Sequence, residues 1–516
     1  MTITESDASA RATTGRRVIP HWIDGADRPS TSGRTAPVFD PATGTVQAEV
    51  ALADQTEIDE AIRSAQRGYE LWSQYSMAKR QTVLFAFREL LNARKTELAA
   101  IITAEHGKVL SDAMGEILRG QEVVELATGF PHLITGSYSE NASTGIDVYS
   151  INQPLGVVGI ISPFNFPAMV PMWFFPVAIA AGNAVVLKPS EKDPSASMWL
   201  ARLWKEAGLP DGVFTVLHGD KLAVDGLLTR PEVQSISFVG STPIAQYIYE
   251  TASKHGKRVQ ALGGAKNHML VLPDADLDLV ADQAVNAGYG AAGERCMAIS
   301  VVLAVEPVAD ELIDRIAERI GRLRIGDGAG RDGAEPDMGP LITGQHREKV
   351  ADYVDIAEQD GARIVVDGRG LRIAGREDGF FFGPTLIDDI PTTSRAYQEE
   401  IFGPVLSVVR VASFDEGLHL INSGRFGNGT AIFTNDGGAA RRFQNEVQVG
   451  MIGINVPIPV PVAYHSFGGW KASLFGDAKA YGAQGFAFFT RQKVITSRWL
   501  DPAAHGGVDL GFPQNT

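Results

Sequence analysis

Cys296 is the only cysteine in 516 residues, and it sits in the small-residue turn Gly293-Glu294-Arg295-Cys296-Met297-Ala298. A thiolate attacks a carbonyl carbon, and the adjacent Arg295 guanidinium is expected to favour the ionised form. The competing reading is an inert cysteine packed as a small hydrophobe. A second candidate is Asn165, in the loop Ser162-Pro163-Phe164-Asn165-Phe166-Pro167. An amide donor in an apolar, proline-fixed loop suits an oxyanion, because its geometry is set before charge develops. A structural loop amide would look the same.

Two further stretches could hold a phosphorylated cofactor. Val185-Val186-Leu187-Lys188-Pro189-Ser190-Glu191-Lys192 is a strand end at which Lys188 could donate to ribose hydroxyls and Glu191 accept from one. A solvated charged turn is the plainer explanation of the same residues. Phe238-Val239-Gly240-Ser241 ends a strand just before a helix near Pro243, whose free N–H groups suit a pyrophosphate. Ser241 reads equally as an ordinary N-cap. Gly288 to Gly293 and Gly328 to Gly333 match the Gly-x-Gly-x-x-Gly fingerprint but neither follows a strand and opens a helix, so both are rejected.

The elements that would position these groups show in the apolar spacing. Ile58, Ile62, Ala65, Tyr69 and Trp72 mark an amphipathic helix, and Val83, Phe87, Leu90 and Leu91 mark a second. From Leu155, apolar runs at Val157 to Ile161, Ala184 to Leu187, Val213 to Leu217 and Ile236 to Val239 alternate with helical segments near 196 to 207, 221 to 229 and 243 to 254. That alternation predicts a parallel, doubly wound sheet, which binds ligands beyond the carboxyl ends of its strands. A second α/β unit follows, with a helix near 276 to 292, the Cys296 turn, a strand at Ser300 to Val305 and a helix near 309 to 323. Ile146 to Ile151 and Phe486 to Trp499 read as strands, either ordinary edges or a small sheet that pairs with another subunit.

A formal charge of −15 argues against nucleic acid or an anionic membrane surface as the main partner. One cysteine permits no internal disulfide and is compatible with a reducing, cytoplasmic setting. Residues 1 to 17 carry Glu5 and Asp7 and lack an apolar core, so a frayed tail is expected, not a secretory signal. The uncharged run from Val148 to Leu187 holds Pro163, Pro167, Pro171 and Pro176 as well as Asn165 and Asn183, which predicts strand, loop and helix start in place of a membrane span.

Seven pieces occur in one order: Pro-Phe-Asn-Phe-Pro, Lys-Pro-Ser-Glu, Phe-Val-Gly-Ser, Gly-Gly-Ala-Lys, the cysteine turn, Glu399-Glu400-Ile401-Phe402-Gly403-Pro404 and Phe467-Gly468-Gly469. Together they resemble the aldehyde dehydrogenase superfamily from about residue 20 to about 500. The stretches Gly-Glu-Arg-Cys-Met-Ala, Gly-Ala-Lys-Asn-His and Asn455-Val456-Pro457-Ile458-Pro459-Val460-Pro461 look like its CoA-acylating, methylmalonate semialdehyde branch. The resemblance implies an α/β fold with a doubly wound parallel-sheet cofactor domain (18–135 and 154–265), an α/β catalytic domain (266–450) and a small β oligomerisation domain (136–153 and 480–505). It implies NAD as cofactor, coenzyme A as acyl acceptor, no metal, and a homodimer or homotetramer.

By the same resemblance, Cys296 attacks the aldehyde, and the oxyanion is held by the Asn165 side chain and the Cys296 backbone N–H. Ser162, Phe164, Lys188, Glu191, Lys192, Ser241 and Gly263 line the cofactor, with Glu400 and Phe402 at the nicotinamide ribose. Arg119 and Arg295 bind a substrate carboxylate, whose geometry a guanidinium fork matches. For Arg119, a helix-surface pair with Glu116 or Glu122 is the alternative. The chain departs from hydrolytic relatives at Leu262, where they carry a glutamate that activates water; leucine accepts no proton, which favours a thiol acceptor. Leu474, where many superfamily members have glycine, is expected to alter a loop near a subunit boundary. Two competing readings are a hydrolytic dehydrogenase of another short carboxylated aldehyde and a catalytically silent protein of the same fold.

Overall fold

The computed structural model describes residues 15–499 together with 510 and 511. Most of the predicted tail, and residues 500–505 of the second predicted oligomerisation segment, lie outside the described residues. Two sheets carry the site. The first has eight strands in the order Leu474–Phe475, Arg258–Leu262, Val233–Val239, Val157–Ile161, Ala184–Lys188, Phe214–Val216, His21–Ile23 and Ala26–Arg28. The central strands are parallel, and those at Val157–Ile161 and Ala184–Lys188 are buried at every position, as continuous apolar runs require when helices cover both faces.

From Val157–Ile161 the chain first adds strands on one side and then crosses to Val233–Val239 on the other. This reversal brings Ser162, Lys188 and Gly240 to neighbouring strand ends, where a doubly wound sheet opens its crevice. The second sheet has seven strands in the order Arg363–Val366, Thr385–Asp388, Val405–Val411, Ile299–Val305, Asn267–Val271, Gly429–Phe433 and Met451–Ile454, parallel except at the Arg363 edge. Asn267, Cys296 and Asn428 gather at the amino ends of its central strands.

The predicted helices appear as Gln55–Trp72 and Met77–His106. The helix at Leu277–Tyr289 is shorter than predicted because the chain leaves the helical region at Gly290 (ψ 136°) and turns left-handed from Ala291. Residues 486 to 488, read as strand, belong to the helix Gly482–Phe488. Phe486 and Phe489 are buried in the cofactor-side core, and only from Thr490 does the chain extend, as Thr490–Ser497 paired antiparallel with Ile146–Pro154. Nor is Leu474 part of a boundary loop: Leu474–Phe475 is the antiparallel edge strand of the eight-stranded sheet, with Leu474 opposite Leu262.

The proline-rich apolar stretch folds as the strand Val157–Ile161, the Asn165 loop and the fully buried helix Met169–Ala181. Among the described residues no helix is long and apolar enough to cross a membrane. Asn183, fully buried, follows that helix and satisfies four backbone groups. Its Oδ1 accepts from Leu155 N at 2.7 Å and Gly156 N at 3.1 Å, and its Nδ2 donates to Ala178 O and Phe489 O, each at 3.0 Å. Asn183→Ala strands Leu155 N, Gly156 N and Phe489 O, while Ala178 O keeps backbone donors, and should destabilise the fold by about 2–4 kcal/mol. A urea midpoint and slope would measure this, and a loss below about 0.5 kcal/mol would contradict it.

Candidate functional site

The nucleophile turn is built by three successive left-handed residues, Ala291 (φ 50°), Ala292 (φ 53°) and Gly293 (φ 73°). Alanine pays for this conformation, and at Gly293 a side chain would also collide with the Gly403 carbonyl. Beyond the turn, the Cys296 carbonyl accepts from Asn267 Nδ2 at 2.9 Å and Asn428 Nδ2 at 3.2 Å, so amides from two strand ends fix its orientation.

Asn165 and Cys296 are brought together. Asn165 Nδ2 lies 3.5 Å from the sulfur and donates to the Glu294 carbonyl at 3.0 Å. The Asn165 loop is braced from outside. Lys108 Nζ donates to Asn165 O at 2.6 Å and to Glu116 Oε2 at 2.8 Å, and it sits 4.3 Å from the Phe166 ring centre. The other Glu116 oxygen accepts from Ala168 N at 2.8 Å and Met169 N at 3.0 Å, which caps a helix whose own N-cap residue, Ala168, supplies no side-chain cap.

The expected activation of the thiol by Arg295 is not what the structure has. Arg295 Nη2 donates to Asp112 Oδ1 at 2.5 Å, so its charge is directed to that carboxylate. Burial, followed by the Glu400 carboxylate, pushes the Cys296 thiol up to about 12, against the opposing effects of Asn165, the residue's own N–H and Lys108. Glu400 is itself raised to about 7 by burial, although Ala265 N donates to its Oε1 at 2.9 Å. Leu262 is buried and lies opposite Leu474 in the neighbouring edge strand, an aliphatic pair with no proton acceptor in its side chains.

The predicted cofactor residues lie around the crevice. Phe164 sits between Lys192, whose Nζ is 4.6 Å from its ring centre, and Phe402, in an edge contact at 5.9 Å. Lys188 Nζ is 3.4 Å from Glu191 Oε2, and burial of Glu191 is outweighed by Lys188 and Lys192, which hold its carboxyl below the usual range. Ser241 begins the helix Thr242–Lys254 without making a side-chain cap bond, and Ser162 Oγ is buried with no hydrogen-bond partner among the described residues. Gly263 N donates to Ser473 O at 3.0 Å, and a side chain at Gly263 would press on the Ala472 carbonyl. Phe402 holds a left-handed φ of 61°, and its carbonyl contacts His346 Nε2 at 2.7 Å.

Sequence reasoning missed Lys108, Glu116 and Asp112, and also Glu294 with its neighbours, the buried His106 and the partly exposed His346. Burial pushes the Glu294 carboxyl up to about 8 and His346 down to about 4. The available signal was charge at apolar helix positions: Glu116 falls on the buried face of Leu110–Thr128, with Ala113, Ile117 and Gly120. In front of Cys296 is a cavity of about 320 Å3 whose lining includes Asp112, Arg119, Arg295, Phe166, Trp173 and Phe467. Both predicted arginines line it, and Arg119 also pairs with Glu122 as the alternative reading expected.

The aldehyde dehydrogenase family profile matches residues 28–495. The chain belongs to the aldehyde dehydrogenase family. It is 53% identical over 496 residues to a malonate-semialdehyde dehydrogenase of Pseudomonas aeruginosa, an alignment covering 96% of this chain and 99% of that relative. It is 46% identical to malonate-semialdehyde dehydrogenase 2 of Geobacillus kaustophilus, with 94% and 100% covered. Among solved structures, methylmalonate-semialdehyde dehydrogenase from Oceanimonas doudoroffii superimposes with a TM-score of 0.92 at 51% identity, covering 94% of this chain and 99% of that one. A Sinorhizobium meliloti protein crystallised with NAD, to which methylmalonate-semialdehyde dehydrogenase activity is ascribed, gives 0.92 at 49% identity, with 94% and 98% covered. The family fold, two α/β units and a small β sheet, is therefore established for this chain.

In the ligand-free protein the thiol must stay largely protonated. Its alkylation by iodoacetamide should climb about tenfold per pH unit from pH 7 to 10, since only the thiolate reacts. A plateau above pH 8.5, as an unperturbed thiol gives, would contradict the assigned environment.

Proposed function

We propose that this chain is an NAD-dependent, CoA-acylating dehydrogenase of malonate or methylmalonate semialdehyde. The carrying observation is Leu262: beside a site in which Asn165 reaches the Cys296 thiol, the position at which hydrolytic members of the family carry a water-activating glutamate is here aliphatic, buried and opposite Leu474. The identities to malonate-semialdehyde dehydrogenases support the same substrate class.

Cofactor fit rests on hydroxyls left without partners: buried Ser162 Oγ and uncapping Ser241 at the head of a 13-residue helix. Lys188, Glu191 and Lys192 would hold the adenosine side, Phe164 and Gly263 the walls, and Glu400 and Phe402 the nicotinamide ribose. Glu191 near a ribose favours NAD over NADP, because a carboxylate repels a 2′-phosphate. Bound NAD supplies the hydride acceptor.

In this reading Arg119 and Arg295 orient the substrate carboxylate while Cys296 adds to the aldehyde carbon. Asn165 Nδ2 and the Cys296 N–H hold the resulting oxyanion, and collapse with loss of hydride leaves a thioester on Cys296. The carboxylate lies β to that thioester carbonyl, so CO2 can depart with the electron pair delocalised onto the carbonyl before a proton is taken up. CoA thiolate then displaces Cys296, giving propionyl-CoA from methylmalonate semialdehyde or acetyl-CoA from malonate semialdehyde. For the methyl compound the sum is aldehyde, NAD⁺ and CoASH going to propionyl-CoA, CO2 and NADH.

One observation favours a second reading, release of free acid: Glu400, raised to about 7, lies close enough to the thiol to perturb it and could serve as the base for water. The strands Ile146–Pro154 and Thr490–Ser497 are the proposed subunit contact of a homodimer or homotetramer. NADH formation from methylmalonate semialdehyde with and without CoA, with the acyl product identified by mass spectrometry, tests the proposal. Multiple turnovers only with CoA, yielding propionyl-CoA, are expected. Equal turnover without CoA, yielding free acid, would overturn the acylating assignment in favour of water activation.

A further inference from the structure

The two arginines lining the cavity are not equivalent. Arg119 is largely engaged: Nη1 donates to both Glu122 oxygens at 2.9 Å, and Nη2 to Val460 O at 3.3 Å and Pro461 O at 2.9 Å, which leaves its Nε without a partner among the described residues. Arg295 makes one hydrogen bond among the described residues, from Nη2 to Asp112 Oδ1, and its Nε and Nη1 hydrogens have no partner there. The partner carboxylate is firmly seated. Asp112 lies in the first turn of the 19-residue helix Leu110–Thr128, where the helix end favours an anion, and its Oδ2 is buried with no hydrogen-bond partner among the described residues.

We propose that Asp112 is a specificity-determining residue: a resident carboxylate that pairs Arg295 when no carboxylated aldehyde is bound, and that the substrate carboxylate must share or displace. The inference rests on the substrate class proposed above. Two carboxylates on one half-buried guanidinium repel each other, so Asp112 weakens capture of the substrate anion. In return it prevents a strongly unpaired cation once the carboxylate leaves as CO2, a state that would otherwise cost desolvation or trap passing anions. It also sets an upper limit on the negative charge the cavity accepts, since a dianion meets this third carboxylate as well.

Asp112→Asn keeps an oxygen acceptor for Arg295 and removes the charge, and its effect is read in two ways. The first is the ratio of kcat/KM for malonate semialdehyde to that for propanal; the second is competitive inhibition by 3-hydroxypropanoate, the reduced analogue of the substrate. The ratio should rise about tenfold and the inhibition constant fall about tenfold, the scale of one partly screened like charge. In an Arg295→Gln background the response to Asp112→Asn should shrink to the residual repulsion between the two carboxylates, about threefold or less, which separates competition for the guanidinium from a general effect on the fold. An unchanged ratio, or a weaker inhibitor in Asp112→Asn, would overturn the inference and make Asp112 a mere support for the arginine. A wild-type protein that does not distinguish malonate semialdehyde from propanal would instead overturn the substrate reading, and this inference with it.

Discussion

The site depends on a buried ion pair that belongs to neither the nucleophile nor the cofactor crevice. Lys108 and Glu116 have fully buried side chains 2.8 Å apart, and taking both charges out of water is costly unless their remaining hydrogen-bonding capacity is used. Here it is used. Glu116 caps the helix Met169–Ala181 through two backbone N–H groups, and Lys108 holds the Asn165 carbonyl and lies against Phe166. A helix that supplies no side-chain cap of its own, a loop whose buried Asn165 amide faces the cysteine turn and the preceding helix Leu110–Thr128 are thereby joined at one point. In the proposed reaction Asn165 donates to an oxyanion, a role that requires a donor unable to relax away from the developing charge, and this pair would supply that rigidity from behind the loop.

A second constraint acts on the thiol. Burial and Glu400 together disfavour its ionisation, and Arg295, next in the chain, is paired with Asp112 instead. The surroundings of Cys296 therefore favour the protonated thiol in the protein without ligands. In the proposed acylating reaction the aliphatic Leu262, opposite Leu474, would supply no base for water at that position.

What was legible in the sequence follows from which interactions are local. Fully buried parallel strands write themselves as short apolar runs, so Val157–Ile161, Ala184–Lys188 and Val233–Val239 were found with boundaries close to the observed ones. The grouping of Asn165 with Cys296 came from resemblance, since 131 residues separate them and no local pattern links the two. Phe486 to Phe488 misled because aromatic residues suit strands as well as buried helices, and the helix there is decided by packing into the cofactor-side core. Arg295 misled for a related reason. Adjacency in sequence placed it beside the thiol, whereas its partner Asp112 lies 183 residues away in the chain. Lys108 and Glu116 were invisible as a pair because each, read alone, is an ordinary charged residue on a helix or beside one.

The most direct test of this account is the single-turnover burst of NADH in the double variant Lys108→Met, Glu116→Gln. Removing both charges avoids leaving either one buried alone, so the fold should persist while the brace on Asn165 is lost. The account predicts a burst slowed about 100-fold, on the scale of losing one oxyanion donor, with unchanged binding of NAD. A burst at the wild-type rate from a folded double variant would contradict it, because Asn165 would then be held in place without the pair.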